Sequence, residues 1–170
     1  RDLSRLRAVL FAGEVFPSKH LKALMELVPH PRYFNLYGPT ETNVITWHEV
    51  TQPPPDPQPV PIGRACANAD TFVLDEEGRL ISEPEREGEL YGRGPSVALG
   101  YHGDRERTER SFVRDPLRPD SPHRVYRTGD RVSLDAEGNY IFHGRNEKYR
   151  FGRQTDVAFD QQGNIFVSDG

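Results

Sequence analysis

The chain has 170 residues, of which 35% are hydrophobic and 28% are charged, a composition typical of a globular rather than a disordered protein. The formal net charge is −4 with both signs interspersed, and no run approaches the roughly 18 apolar residues that a spanning helix needs. We therefore expect neither a nucleic-acid partner nor a membrane partner. Cys66 is the only cysteine, which excludes an internal disulfide, favours a reducing, cytoplasmic location and makes a zinc site unexpected.

The first part of the chain predicts a parallel α/β unit. An apolar run from Arg7 to Ala12 is typical of a buried strand, and residues 33–37 indicate a second strand. Between them Ser18 is a candidate N-terminal cap for a helix. The apolar residues of that helix recur at helical spacing: Leu21, Leu24, Met25 and Val28. A strand–helix–strand order favours two parallel strands in one sheet.

A proline-rich segment, Gln52–Pro61, separates this unit from a second half that is rich in predicted strands. Proline lacks the backbone donor that helices and sheets need, so the segment predicts an extended connection. Beyond it, turns at 76–78 and 136–139 predict two hairpins, and residues 104–112 predict a short, charged surface helix. The expected fold is therefore an α/β portion followed by a β-rich subdomain.

The string with the clearest chemistry is Asn35-Leu36-Tyr37-Gly38-Pro39-Thr40-Glu41, which follows the second predicted strand. It places an amide, an aromatic ring, a hydroxyl and a carboxylate around a tight turn. Such a set can hydrogen-bond the edge of a base, stack on its face and hold a cation. Taken alone, the string is more typical of an ordinary turn between a strand and a loop.

This string resembles the nucleotide-binding motif of the amino-acid adenylation domains of nonribosomal peptide synthetases. Further strings resemble other motifs of that adenylate-forming family and occur in the family's order: Leu10–Glu14, Gly88–Tyr101, Tyr126–Asp130 and Gly138–Arg145. The resemblance implies that residues 1–147 are the C-terminal part of an AMP-binding large domain. It also implies an ATP- and Mg²⁺-dependent ligase that activates a carboxylic acid, first of all an amino acid, as acyl-AMP. An acyl- or aryl-CoA ligase and a non-catalytic nucleotide-binding or scaffold piece remain alternatives.

The resemblance gives four of these residues a place beside the nucleoside. Tyr37 would stack on adenine, because a flat π-face suits a flat base. Asn35 would meet the adenine edge with a donor and an acceptor. Asp130 would accept both ribose hydroxyls, although a carboxylate at this point could also satisfy the amides of a turn. Phe142 stands near the ribose where the family often has tyrosine, so a hydroxyl contact would be lost there.

Three residues are assigned to the phosphate side by the same resemblance. Thr40 would contact phosphate, and Glu41 would bind magnesium, whose hard charge prefers carboxylate oxygen. Arg145 would reach the ribose or the phosphates. The chain has no Ser-Gly-Thr-Thr-Gly loop and no small domain with the family's catalytic lysine, so we expect the isolated chain to be inactive in adenylation.

The resemblance also implies an apolar pocket for the side chain of the acid, and a carrier-protein domain as partner. The residues implied for that pocket are Leu10, Ala12, Leu36, Val44 and Ile45. All are apolar, which favours an apolar or aromatic side chain over a charged one.

The last part of the chain departs from the adenylation pattern. Residues 151–170 resemble an NHL repeat, in which two strands flank an Asp-x-x-Gly-Asn turn, and residues 148–170 would form a separate β-hairpin tail. We therefore expect a junction of two unrelated sequences near residues 147–152. A diverged start of the small domain is the alternative.

Overall fold

A computed structural model describes residues 2–145 and the strands 156–159 and 165–168. The first part of the chain forms a four-stranded sheet with one helix. Its elements are β1 (Ala8–Phe11), α1 (Ser18–Leu27), β2 (Arg32–Tyr37), β3 (Thr46–Val50) and β4 (Arg64–Ala65), with strand order β1-β2-β3-β4. β1 and β2 are parallel, as predicted from the strand–helix–strand order. β3 and β4 extend the sheet in antiparallel fashion, which the sequence did not indicate.

The helix α1 covers one face of this sheet. Its buried Leu21 packs in a cluster with Tyr33, Val50 and Val60, so the predicted apolar side of the helix is confirmed. The predicted cap at Ser18 is wrong. Pro17 is the capping residue, and its carbonyl oxygen accepts the first helical hydrogen bonds. Ser18 already lies within the helix, and its hydroxyl donates to the carbonyl of Gln58 in the proline-rich segment.

The second half of the chain forms a six-stranded antiparallel sheet. Its elements are β5 (Asp70–Leu74), β6 (Leu80–Ile81), β7 (Gly88–Arg93), α2 (Arg105–Ser111), β8 (Phe112–Arg114), β9 (Arg124–Leu134) and β10 (Tyr140–Arg145). The strand order is β10-β9-β7-β5-β6, and β8 pairs with β9. Both predicted hairpins are confirmed, as β5–β6 and β9–β10. The charged helix α2 is confirmed as well, and none of its residues is buried.

The two sheets are joined at residues 62–63, just after the proline-rich segment. The amide of Ile62 donates to the carbonyl of Tyr140 at 2.9 Å. The amide of Tyr140 in turn donates to the carbonyl of Gly63 at 2.7 Å. Gly63 has φ 80°, and a Cβ atom there would overlap the carbonyl oxygen of Trp47. Only glycine fits this crossing, because other residues disfavour positive φ and there is no room for a side chain. The crossing brings the end of β2 next to β9 and β10.

The tail contains a hairpin of β11 (Asp156–Phe159) and β12 (Ile165–Ser168), paired antiparallel. The predicted pair of strands is thus confirmed. Their resemblance to an NHL repeat stays a prediction, and the expected junction near residues 147–152 lies outside the described residues. Across the part of the chain that the structure describes, no helix is long and apolar enough to cross a membrane.

Candidate functional site

The side chains of Tyr37 and Asp130 meet where the two sheets join. Tyr37 ends β2 and Asp130 lies in β9, 93 positions further along the chain. The Tyr37 hydroxyl donates to Asp130 Oδ2 at 2.5 Å. The ring of Phe142, in the neighbouring strand β10, lies 6.2 Å from the Tyr37 ring, centroid to centroid. Three residues that sequence resemblance assigns to one nucleoside therefore lie in one place.

The carboxylate of Asp130 is buried, with 5% of the residue exposed. Its second oxygen, Oδ1, has no hydrogen-bond partner among the described residues and lies 3.4 Å from Nε of Arg145, its register partner in β10. Burial raises the pKa of Asp130, and the hydrogen bond from Tyr37 and the charge of Arg145 only partly oppose that rise. Oδ1 is thus held by a long ion pair and keeps room for a shorter hydrogen bond. A donor such as a sugar hydroxyl could supply that bond.

The neighbours of Asp130 hold its carboxylate in this orientation. The amide of Asp130 donates to the Thr128 hydroxyl at 3.0 Å, and that hydroxyl donates to the carbonyl of Leu90 at 2.7 Å. Within β9 the backbone of Asp130 is thus held by the Thr128 side chain, and the Asp130 carboxylate contacts Tyr37. Burial and the nearby Asp130 charge raise the pKa of Tyr37 well above its usual value, so its hydroxyl stays a donor.

Asn35 lies on the same side of β2 as Tyr37, two residues earlier, and is 8% exposed. Its amide nitrogen donates to the carbonyl of Pro61 at 2.8 Å and lies 3.4 Å from that of Val60. In this structure Asn35 therefore ties β2 to the proline-rich segment. Donating to an adenine edge would require this hydrogen bond to be exchanged.

Glu41 and Thr40 follow the Gly-Pro turn after β2. Gly38 is needed there because a Cβ atom would overlap the backbone of Asn43, where the chain folds back. Thr40 is exposed, whereas Glu41 is half-buried and its carbonyl accepts from the amide of Ala98 at 2.8 Å. The hydroxyl of Tyr101 donates to Glu41 Oε1.

Sequence reasoning assigned no role to Tyr101 or Tyr126, although both lie within the strings that carry the resemblance. The Tyr126 hydroxyl lies 3.4 Å from that of Tyr101, which in turn contacts Glu41. Burial and the nearby Glu41 carboxylate raise the pKa of Tyr101. The same two causes raise the pKa of Tyr126 by more. A tyrosine directly after a glycine gives no signal of its tertiary partner, so only the structure reveals this contact.

Glu41 is the one residue predicted to bind metal, and its surroundings fit that role. Across the described residues no group of three or more His, Cys, Asp or Glu side chains could hold a metal ion. Mg²⁺ at nucleotide sites is commonly bound by one or two carboxylates, with phosphates and water completing its octahedron. A single carboxylate therefore fits a cation that arrives with a triphosphate.

The residues expected in the acid pocket do not all lie together. Leu10 is 63% exposed, Ala12 is exposed, and Leu36 is half-buried. Leu10 pairs with Phe34 in the parallel register, so Leu10 and Leu36 share the sheet face opposite α1. Ile45, in contrast, is fully buried, and its Cδ1 atom would be 2.9 Å from a Cβ atom at Gly92.

Val44, next to Ile45, is half-buried. The structure thus places Leu10 and Leu36 on one sheet face and Ile45 in the core, while Ala12 is exposed just after β1. A cavity of about 310 Å³ lies elsewhere, beside β8, and includes none of the predicted site residues in its lining.

Comparison with known proteins decides the family. Residues 1–102 match the family described as AMP-binding enzyme. The chain belongs to this family. It is 44% identical over 148 residues to an L-proline–[L-prolyl-carrier protein] ligase of Streptomyces coelicolor, an alignment that covers 84% of this chain and 26% of that protein. The chain thus spans about a quarter of the length of that curated relative.

Two solved structures have the same fold. CmiS6 superposes with a TM-score of 0.78 at 43% identity, over 84% of this chain and 34% of that one. PA1221, an NRPS protein containing adenylation and PCP domains, superposes with a TM-score of 0.79 at 36% identity, over 91% of this chain and 30% of that one. These similarities confirm the predicted fold, an α/β portion followed by a β-rich subdomain of an adenylation large domain. They also confirm the family that the motifs indicated.

Proposed function

We propose that this chain forms the adenosine- and magnesium-binding part of an ATP-dependent ligase that activates an amino acid as acyl-AMP. One observation carries the proposal. Tyr37 and Asp130, from two different sheets, are joined by a hydrogen bond of 2.5 Å, and the other buried oxygen of Asp130 has no donor among the described residues. An aromatic ring beside a buried acceptor suits a nucleoside, which brings a flat base and two adjacent hydroxyls.

Each side chain of this group would have one task. The Tyr37 ring would stack on the base while its hydroxyl keeps Asp130 in place. Asp130 would accept hydrogen bonds from the ribose hydroxyls. These bonds would take the place of hydrogen bonds to water, which burial excludes. Arg145, whose side chain is 41% exposed, would remain free to move toward the ribose or the phosphates while balancing the Asp130 charge. Phe142 would contribute apolar contact only.

Glu41 and Thr40 would serve the phosphate end. Glu41 would hold Mg²⁺ through a carboxylate oxygen, and the exposed Thr40 hydroxyl would contact a phosphate oxygen. When bound, the cation would neutralise charge that develops on the transferring phosphoryl group. Glu41 is already oriented before any ligand arrives, because Tyr101 and Ala98 contact its side chain and backbone.

The acid substrate and the acceptor are proposed from similarity and chemistry together. The Streptomyces coelicolor relative is an L-proline ligase acting toward a carrier protein, and PA1221 contains adenylation and PCP domains. We infer an amino acid as substrate and a carrier-protein domain as acceptor for the full protein. Leu10 and Leu36 on one sheet face, with Ala12 just after β1, support an apolar or aromatic side chain on that amino acid.

Binding of the nucleoside is the first test, and the isolated 170-residue chain suffices for it. AMP, added without metal to the ¹⁵N-labelled chain, is expected to shift the amide resonances of Tyr37, Asp130 and Arg145 in two-dimensional NMR spectra. CMP at the same concentration should shift them less, because its smaller base stacks less well. Equal shifts with both nucleotides, or shifts centred elsewhere, would contradict the assignment of the site.

Activity is the second test and needs a full-length protein that carries this sequence. Hydroxamate trapping with ATP and a panel of amino acids should give product, with apolar or aromatic amino acids leading. Product with fatty or aryl acids but not with amino acids would instead support the acyl- or aryl-CoA ligase. The 170-residue chain alone should show no ATP–pyrophosphate exchange, because it lacks the phosphate loop and the lysine expected of the family.

A further inference from the structure

The hydroxyl of Tyr101 contacts the carboxylate of Glu41, and the hydroxyl of Tyr126 lies next to that of Tyr101. Tyr101 donates to Glu41 Oε1, although 60 positions separate the two residues in the chain. A phenol has one proton to donate. Because the Tyr101 proton is directed at Glu41, Tyr126 supplies the proton in the 3.4 Å contact between the two hydroxyls. A hydrogen bond between the two hydroxyls would therefore run from Tyr126 to Tyr101.

Three neighbours fix Tyr101, one through its backbone and two through its ring. Its amide donates to the Thr108 hydroxyl at 2.8 Å, and the Arg107 guanidinium lies 3.8 Å from the ring centroid. The Phe112 ring meets it edge-on, with 5.5 Å between centroids. Thr108 and Arg107 belong to α2, and Phe112 follows it directly. The short surface helix thus fixes a side chain that reaches the candidate cation site.

We propose that Tyr101, supported by Tyr126, is a positioning residue that holds Oε1 of Glu41 and so presents Oε2 to the cation of a metal–nucleotide complex. The inference rests on the proposed function, in which Glu41 is the magnesium ligand. Carboxylates that bind metals are commonly oriented by a hydrogen bond on the oxygen that does not face the ion. Fixing the carboxylate in advance removes rotamer freedom that cation binding would otherwise have to restrict.

A purely structural role for the same contact makes a different prediction. Tyr101 could serve only to join the loop after β7 to the turn after β2, which the bond from Ala98 to the Glu41 carbonyl already does. Removing the Tyr101 hydroxyl would then lower the stability of the fold but leave cation affinity unchanged. Cation affinity and stability must therefore be measured separately.

The experiment uses the full 170-residue chain and Mn²⁺ with ATP as the probe. Mn²⁺ broadens the amide resonances of nearby residues, so a titration followed by ¹⁵N NMR gives both the place and the midpoint of binding. For the wild-type chain we expect broadening centred on residues 40–42 and 98–101. Glu41→Gln, which keeps an acceptor for Tyr101 but loses the charge, should abolish this localised broadening.

The variant that decides is Tyr101→Phe, which removes one hydroxyl and keeps the ring. Its Mn²⁺ midpoint should rise about tenfold, the lower end of the effect usual for residues that orient a metal ligand. Tyr126→Phe should raise it less. The matched control is Tyr140→Phe, which deletes a tyrosine hydroxyl that is hydrogen-bonded to Thr71 and not to Glu41, and should leave the midpoint unchanged. Urea denaturation of each variant reports the loss of stability on its own.

Three results would contradict the positioning role or the cation site. An unchanged Mn²⁺ midpoint in folded Tyr101→Phe overturns the positioning role, and if that variant does not fold, an unchanged midpoint in Tyr126→Phe does so. Broadening of the wild-type chain centred away from Glu41 overturns the cation site and this inference with it. The nucleoside half of the proposed function is judged separately, by the shifts that metal-free AMP causes at Tyr37 and Asp130.

Discussion

The two ends of the candidate site are built in opposite ways. At the nucleoside end, Asp130 is buried and one of its oxygens lacks a donor among the described residues. At the cation end, Glu41 is half-buried and Tyr101 already donates to it. That oxygen has only a long ion pair with Arg145, so a ligand that donates a shorter hydrogen bond to it gains free energy. At the cation end, the Glu41 carboxylate is already oriented before a cation binds, so less conformational entropy is lost on binding.

This difference predicts the largest effect for Asp130→Ala. The substitution removes the acceptor for the ribose hydroxyls, and hydrogen bonds to a charged group contribute roughly 1.5–3 kcal/mol each. AMP affinity, measured by NMR titration of the 170-residue chain, should fall at least tenfold. Asp120→Ala, at an exposed position outside the site, is the matched control and should bind AMP as the wild type does. An Asp130→Ala chain that binds AMP normally would remove Asp130 from the site.

Tyr37→Phe separates the hydroxyl from the ring. The hydroxyl donates to a buried carboxylate, so its loss should lower the free energy of unfolding by about 1.5 kcal/mol, measured by urea denaturation. The ring remains available for stacking, and AMP affinity should therefore fall less than in Tyr37→Ala. Equal losses of affinity in the two variants would show that the hydroxyl, rather than the ring, contributes most of the binding.

Asp130→Asn tests the electrostatic state of the nucleoside end. Burial raises the pKa of Asp130 above its unfolded value, so the folded state holds this proton more tightly than the unfolded chain does. The carboxyl therefore destabilises the fold once pH rises above the folded pKa, and it does not do so below the unfolded pKa. Asparagine carries no charge, so it should stabilise the fold at neutral pH by on the order of 1 kcal/mol.

The pH dependence distinguishes this electrostatic effect from a change in packing. The stability difference between Asp130→Asn and wild type should shrink as pH falls through the raised pKa of Asp130. Urea denaturation at a series of pH values measures it. A difference that stays constant with pH would mean that the carboxyl has the same pKa in the folded and unfolded chains.

Local signals in the sequence predicted both helices and both hairpins, but not β3, β4 or the tertiary partners of the elements. Turn residues and alternation predicted both hairpins, and the motifs placed Tyr37 and Asp130 at one nucleotide before the structure showed their contact. Ser18 is a good capping residue, yet it lies inside α1 because Pro17 accepts the first helical bonds. Ile45 was expected in the acid pocket, but its side chain packs in the core near Gly92. The contact between Tyr101 and Glu41 depends on how two distant loops meet, which no short pattern encodes.

Asp104→Ala should give the smallest effect. It tests whether α2 helps to hold Tyr101 against Glu41. The Asp104 carboxylate accepts from the amide of Arg107 at 2.9 Å and so caps α2. Losing a cap costs about 0.5 kcal/mol at the low end, which suits a helix with no buried residue. If α2 holds Tyr101 against Glu41, looser α2 should also raise the Mn²⁺ midpoint, by about twofold, while AMP binding without metal stays unchanged. Arg105→Ala, which breaks only an exposed ion pair with Glu109, is the control and should change neither quantity. Equal Mn²⁺ midpoints for Asp104→Ala and Arg105→Ala would mean that Tyr101 and Tyr126 orient Glu41 without help from α2.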